Sequence, residues 1–175
     1  YLAEGGALVA PGPRALAVAQ DRVEEKIFLN GVGATTVDFA VVDSVDELIA
    51  GLDRLGTPAL LKTRREGYDG KGQIWVTSAD MAADAWHAVG EQPCVLEAKA
   101  AFARELSVIA ARGRDGQIAV YPLGENIHSG GVLKTTLAPA VVDAATQGRA
   151  EDIARAVLEG LDYVGVLGVE LFDLG

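Results

Sequence analysis

The residues best placed to do chemistry cluster between Lys62 and Gln73. Lys62, Arg64, Arg65 and Lys71 fall within ten positions, interleaved with Gly67, Gly70 and Gly72. Glycine tolerates positive φ and lets the backbone come close to a ligand. Successive N–H groups in such a stretch make a concavity for an anion, and Lys71 adds charge to it. A phosphate or a nucleotide suits that chemistry, although the same composition also serves a plain hairpin between two strands. Two phosphate signatures can be excluded on spacing. A Walker loop needs Lys then Ser or Thr after its second glycine, but Gly72 is followed by Gln73 and Ile74. A dinucleotide fingerprint begun at Gly70 reaches Trp75 where glycine or alanine is required, and Gly31-Val32-Gly33 reaches Thr36. If phosphate is bound, another architecture binds it.

Around this loop stand further candidates, each with a bland alternative. Lys62 closes the apolar stretch Pro58-Ala59-Leu60-Leu61 and is either a solvated strand end or a ligand group. Glu97 ends one strand and Glu105 begins the next; carboxylates there can accept from ribose hydroxyls or an exocyclic amine, or sit as solvated edge charges. Glu170 lies within Val166-Leu167-Gly168-Val169-Glu170-Leu171-Phe172, where an unpaired buried carboxylate costs several kcal/mol. Strand alternation turns it either outward or into a cleft, where Mg²⁺ is the natural partner for a hard oxygen ligand. Asn126 and His128 form a polar cluster. No Ser-His-Asp or Cys-His arrangement is supported by spacing, and two histidines do not make a zinc site.

Composition bounds what such a site can serve. The 175 residues include 25 acidic and 15 basic side chains, a formal charge of −10, which repels nucleic acid. Half of the chain is apolar, enough for a core. No apolar run approaches the roughly 20 residues of a membrane span, so no membrane is expected. The first residues do not read as a secretory signal, and Cys94 alone can form no internal disulfide; both favour the cytoplasm.

The elements that must position these groups alternate. Residues 1–20 read as connector, punctuated by Pro11-Gly12-Pro13. A helix from Asp21 as N-cap to Asn30 follows, then a strand over 36–40 and a helix from Ser44 to Leu55 with Glu47 at the capping-box position. Strands are expected at 58–62, 73–77 and 93–97, with a helix over 79–89. Beyond Lys99 the pattern becomes mainly β: stretches at 105–111 and 117–123 joined by an Arg112–Gly116 hairpin, a strand at 131–137, a helix over 143–161 and a β run at 163–172. The expectation is an α/β (α+β) fold of two lobes, 21–97 and 98–175.

Taken in order, Gln20-Asp21-Arg22, Glu25-Lys26, Lys62, Gly67-Tyr68-Asp69-Gly70-Lys71-Gly72-Gln73, Glu97, Glu105-Leu106-Ser107, Tyr121-Pro122, Asn126-Ile127-His128, Gly131–Thr135 and Gly165-Val166 with Glu170 form a recognisable set. The chain resembles the PurK-type ATP-grasp family, the 5-(carboxyamino)imidazole ribonucleotide synthases of purine biosynthesis, from about Gly12 onward. The resemblance implies an ATP-grasp fold with the nucleotide cleft between two lobes: a lid subdomain over 21–97 bearing the glycine loop, and an incomplete second subdomain over 98–175. It implies that Arg22 and Lys62 contact ATP and that Gly67, Tyr68, Asp69, Gly70, Lys71, Gly72 and Gln73 close over its phosphates. Glu97, Ala98, Lys99 and Ala100 hold the adenine, Glu105 takes the ribose hydroxyls, and His128 lines the nucleotide site. Tyr68, Asp69 and Lys71 also face bicarbonate and 5-aminoimidazole ribonucleotide, Lys134 sits near the transferred phosphate, and Glu170 is a Mg²⁺ ligand. The implied reaction makes carboxyphosphate from bicarbonate and MgATP, and the exocyclic amine captures the carboxyl group. A homodimer is implied by the resemblance alone.

Departures from the family pattern accompany it. The N-terminal α/β domain that precedes the connector does not occur in these 175 residues. Neither does the second metal ligand of an Asn-Glu pair, nor the basic residues that grip the substrate phosphate. The expectation is a central portion of the enzyme, inactive by itself. Two other readings stay open: a different ATP-grasp carboxylase or ligase, and a nucleotide-binding module without catalysis.

Overall fold

In the computed structural model, residues 5, 6, 8–67, 71–130 and 132–175 are described. The chain divides into two compact units, one of Ala19–Ile27 and Thr35–Ala101, the other of Tyr1–Val18, Phe28–Ala34 and Phe102–Gly175.

The first of these units is a sheet backed by helices. Helix α2 (Arg22–Gly31), which belongs to this unit as far as Ile27, begins behind Asp21, whose Oδ1 accepts from the N–H groups of Val23 and Glu24 at 3.0 and 3.4 Å. Strand β1 (Phe39–Val42) begins three residues later than the alternation predicts: pairing with the neighbouring strand starts only where Asp38 O accepts from the Ala98 N–H. Helix α3 (Val45–Leu55) is capped by Ser44, which accepts from the Glu47 N–H. The Glu47 carboxylate accepts from the N–H of Asp43 at 2.6 Å, one residue before the cap, so the reciprocal box is displaced by a position. Strands β2 (Ala59–Thr63), β3 (Gln73–Val76) and β4 (Cys94–Ala98) complete an antiparallel sheet of order β1-β4-β2-β3. A 3₁₀ turn over Ala79–Met81 leads into α4 (Ala82–Ala88). Leu48 and Leu52 from α3 pack with Leu61, Cys94 and Leu96 from the sheet, all essentially inaccessible. Each fully buried leucine contributes roughly 2 kcal/mol of transfer free energy.

The other unit is built on a long hairpin. A short helix α1 (Pro13–Ala19) occupies part of the stretch read as connector; Pro13 stands at the first helical position, where the missing N–H costs nothing. Strands β5 (Arg104–Arg112) and β6 (Ile118–Val120) are joined by the expected turn, with the Gly113 N–H donating to Gln117 O. Strand β7 (Gly124–Ser129) continues along β5 after a break at Tyr121-Pro122, followed by β8 (Val132–Leu137), α5 (Ala144–Gly160) and β9 (Gly165–Asp173). The sheet runs β6-β5-β7-β8, with β9 on the other side of β5. Leu106, Val108 and Ala110 of β5 meet Ala150, Ala154 and Leu158 of α5, and Leu167, Val169 and Leu171 of β9 pack against that cluster. The alternate residues of the same strands therefore form an uncovered sheet face within this unit. No helix among the described residues is long and apolar enough to cross a membrane.

Candidate functional site

In the unit bearing the glycine segment, three charged groups far apart in sequence meet on one sheet. Glu97 on β4 and Lys62 on β2 project from the side opposite the α3 core. Lys62 Nζ lies 2.7 Å from Glu97 Oε2, and Lys26 Nζ, from α2, lies 2.9 Å from Oε1. Glu97 is only 8% exposed. Burial by itself raises the Glu97 pKa, but Lys62 and Lys26 outweigh it and hold the group below the ordinary carboxylate value. Glu25, one residue before Lys26, shows the opposite balance: its burial prevails over Lys26 and Arg22 and raises its pKa. Sequence reasoning treats Lys62 and Glu97 as two separate ligand groups. Strand register makes them a pair, because Leu60 opposes Glu97 and Lys62 opposes Val95.

The ends of the glycine segment are tied to the start of α2. Arg22 Nη2 donates to Gly67 O at 3.4 Å, and the Arg22 N–H donates to Arg64 O. Asp21, 3% exposed, accepts from Arg64 Nε at 3.0 Å and Nη2 at 2.9 Å and from Arg65 Nε at 3.2 Å. Desolvation works against its charge, yet Arg64, the Glu24 and Val23 N–H groups and Arg65 together hold its pKa below 3.8. Gly72 needs to be glycine: φ is +69°, and a Cβ there would lie 2.7 Å from Thr63 Oγ1. Its carbonyl accepts from the Thr63 N–H, closing the base of the loop. A depression of about 460 Å³ opens beside these groups, lined in part by Gln20, Arg22, Arg64, Arg65 and Gly67. Gln73 and Lys71 are exposed. Tyr68, Asp69 and Gly70, assigned roles by the resemblance, lie outside the described residues, as does Gly131. Ala98 and Ala100 are partly covered and Lys99 is exposed just beyond Glu97.

The uncovered sheet face of the other unit gathers a second set. Across it, Phe172, Glu105, Asn126 and Thr136 occupy one row of paired positions, and Glu170, Ser107 and Gly124 the next. Leu167, Val169 and Leu171 of β9 face the core, so Glu170 points away from it and is exposed. Of the two orientations open for Glu170, the outward one is therefore observed. Asn126, 7% exposed, accepts through Oδ1 from Thr136 Oγ1 at 2.9 Å and Ser107 Oγ at 3.4 Å. Gly124 allows this approach, since a Cβ there would meet Thr136 Cγ2 at 2.7 Å. His128 Nδ1 is 2.9 Å from Glu105 Oε2, within ion-pair distance, but among the described residues it makes no hydrogen bond. Lys134 is exposed at a bulge, between the pairs Ile127–Thr135 and His128–Leu133. Phe102 stacks on Phe172 with ring centroids 4.4 Å apart.

Among the described residues no three His, Cys, Asp or Glu side chains converge as a metal cage. Glu170, the Mg²⁺ ligand implied by the resemblance, stands on the uncovered sheet face as an exposed carboxylate. Sequence reasoning missed β7 as a strand, the partners of Asp21 and any role for Lys26. Gly124-Glu125-Asn126-Ile127-His128-Ser129 has almost no apolar residue to reveal a strand. The four-residue spacing of Arg22 and Lys26 on one helix is the available signal that both can serve one face.

Known proteins share this architecture. The ATP-grasp domain model matches residues 27–175. The chain is 47% identical over 170 residues to the N5-carboxyaminoimidazole ribonucleotide synthase of Brucella melitensis, covering 96% of this chain and 47% of the relative. Its structure is similar to that of N5-carboxyaminoimidazole ribonucleotide synthetase from Thermus thermophilus, with TM-score 0.91 and 46% identity over 98% of this chain and 46% of the other. A TM-score of 0.86 at 27% identity relates it to the Aspergillus clavatus N5-carboxyaminoimidazole synthase in complex with ADP and 5-aminoimidazole ribonucleotide, covering 97% of this chain and 44% of that one. The chain spans about half the length of the relatives it matches.

Proposed function

Since this chain belongs to the ATP-grasp family, we propose that it serves ATP-dependent carboxylation of 5-aminoimidazole ribonucleotide with bicarbonate. The observation that carries this reading is the assembly of Arg22, Lys62, Glu97 and both ends of the glycine segment in one unit. In this reading Arg22 and Lys62 contact ATP, Lys62 near its adenine and phosphates, and Gly67–Gln73 closes over the phosphates. Glu97 and the backbone of Ala98, Lys99 and Ala100 receive the adenine, Glu105 accepts from the ribose hydroxyls, and His128 borders the nucleotide. Tyr68, Asp69 and Lys71 orient bicarbonate and the amine, and Lys134 neutralises charge on the transferred phosphoryl group. Glu170 holds Mg²⁺, which when bound screens the phosphate charge that develops during transfer.

A bicarbonate oxygen attacks the γ-phosphorus, the bond to ADP breaks, and carboxyphosphate forms. The exocyclic amine then attacks its carbonyl carbon, inorganic phosphate leaves, and the nitrogen loses a proton, giving 5-(carboxyamino)imidazole ribonucleotide. Cationic groups lower the barrier by matching charge as it builds, and closure of the loop keeps water from the labile intermediate. The lone Cys94 carries the proposal of a cytoplasmic location, and the resemblance carries that of a homodimer, checked by sedimentation.

The experiment is fixation of labelled bicarbonate, with MgATP and with and without 5-aminoimidazole ribonucleotide, by the intact protein that carries these residues, the 175 residues by themselves being expected to show no turnover. Labelled product and ADP release that both require the amine support the proposal. ATP turnover driven by a different acceptor transfers the chain to another ATP-grasp activity, and an ATP affinity unchanged by Lys62→Ala removes the assigned pocket.

A further inference from the structure

Lys62 faces a conflict in the reading above. It is the group assigned to phosphate, yet its ammonium is 2.7 Å from Glu97. A carboxylate so little exposed cannot surrender its partner cheaply, because an unpaired buried charge is strongly disfavoured. Lys26 resolves the conflict. Its ammonium holds the other oxygen of Glu97 at 2.9 Å, and its side chain is 12% exposed, so it is not a casual surface contact. It stands four residues after Arg22 on α2, the helix that Asp21 fastens to Arg64 and Arg65.

We propose that Lys26 is a positioning residue for nucleotide binding: it retains the charge of Glu97 and so frees Lys62 to turn to the phosphates of ATP. This rests on the assignment of Lys62 to ATP, and it goes beyond it by giving a role to a residue that need not touch the nucleotide. Without Lys26, Lys62 remains committed to Glu97 and part of the phosphate affinity is lost.

The test is calorimetric titration of the full chain with MgATP for wild type, Lys62→Met, Lys26→Met, Lys26→Arg, Glu97→Gln and the double variant Lys26→Met with Glu97→Gln. Lys26→Met should weaken MgATP about tenfold, a coupling of ordinary size for one charge network. Lys26→Arg should restore affinity to within about threefold of wild type. In the Glu97→Gln background, where no carboxylate competes for Lys62, Lys26→Met should cost less than about twofold. An equal loss in both backgrounds, or full affinity in Lys26→Met, overturns the proposal. If Lys26→Met does not fold, the double variant lacks the unpaired carboxylate and still decides: it must bind MgATP as Glu97→Gln does. Unchanged affinity in Lys62→Met instead defeats the assignment of Lys62, whatever Lys26 does.

Discussion

Replacing Asp21 tests how the start of α2 is joined to the base of the glycine segment. Asp21→Ala removes an N-cap, which costs about 1 kcal/mol. It also strips Arg64 of a two-bond carboxylate partner and Arg65 of a single bond. Breaking a fully buried pair costs about 3–5 kcal/mol, but the Arg64 side chain is 22% exposed and Arg65 63%, so water recovers much of that. About 2 kcal/mol for the pair and about 3 kcal/mol in total is the expectation. At a urea dependence near about 2 kcal/mol per molar, the midpoint falls by about 1.5 M. Trp75 and Trp86, the chain's tryptophans, both belong to the unit that contains Asp21, so their fluorescence follows its unfolding. Asp21→Asn keeps a good cap and should lose only the charge contribution, about 2 kcal/mol. The pH dependence has a definite sign. The folded pKa lies below the ordinary 3.8, so the stabilisation is fully present above that value and is lost as pH falls through the folded pKa. The gap between wild type and Asp21→Asn should thus close in strong acid. An Asp21→Asn protein as stable as wild type at neutral pH would refute the argument.

Gly72→Ala should destabilise the same unit by about 1–3 kcal/mol, since it forces alanine to positive φ and places a methyl against Thr63 Oγ1; an unchanged urea midpoint counts against that geometry. Cys94 is fully buried and its thiol pKa is pushed up to about 11, first by burial and then by Asp43, so a disulfide reagent at about pH 8 should label it only on unfolding. Gly124→Ala should cost about 1–3 kcal/mol in the other unit by driving a methyl into Thr136 and Ser107, measured by thermal unfolding followed by circular dichroism. Leu96→Ala, at a position with no exposed surface, should cost about 2–5 kcal/mol by urea unfolding.

Local signals read well from the chain. Ser44 caps its helix through the N–H of Glu47, and Asp21 begins α2, because a cap depends on residues three positions apart. The hairpin at Gly113–Gly116 is legible for the same reason. The ordered motif set carries the family and the candidate ligands. Where apolar periodicity fails, as in β7, so does the reading, because that strand shows a polar face and relies on its neighbours for shape.

Sequence alone marked the glycine segment as a candidate anion site, since residue type and short-range spacing set its chemistry, and the resemblance supplied the individual roles. Only tertiary structure decided their partners. Asp21 meets Arg64 and Arg65 across 43 and 44 positions, and Glu97 meets Lys62 through strand register and Lys26 through a helix. Those contacts depend on how distant segments pack, and no local preference of either partner encodes them.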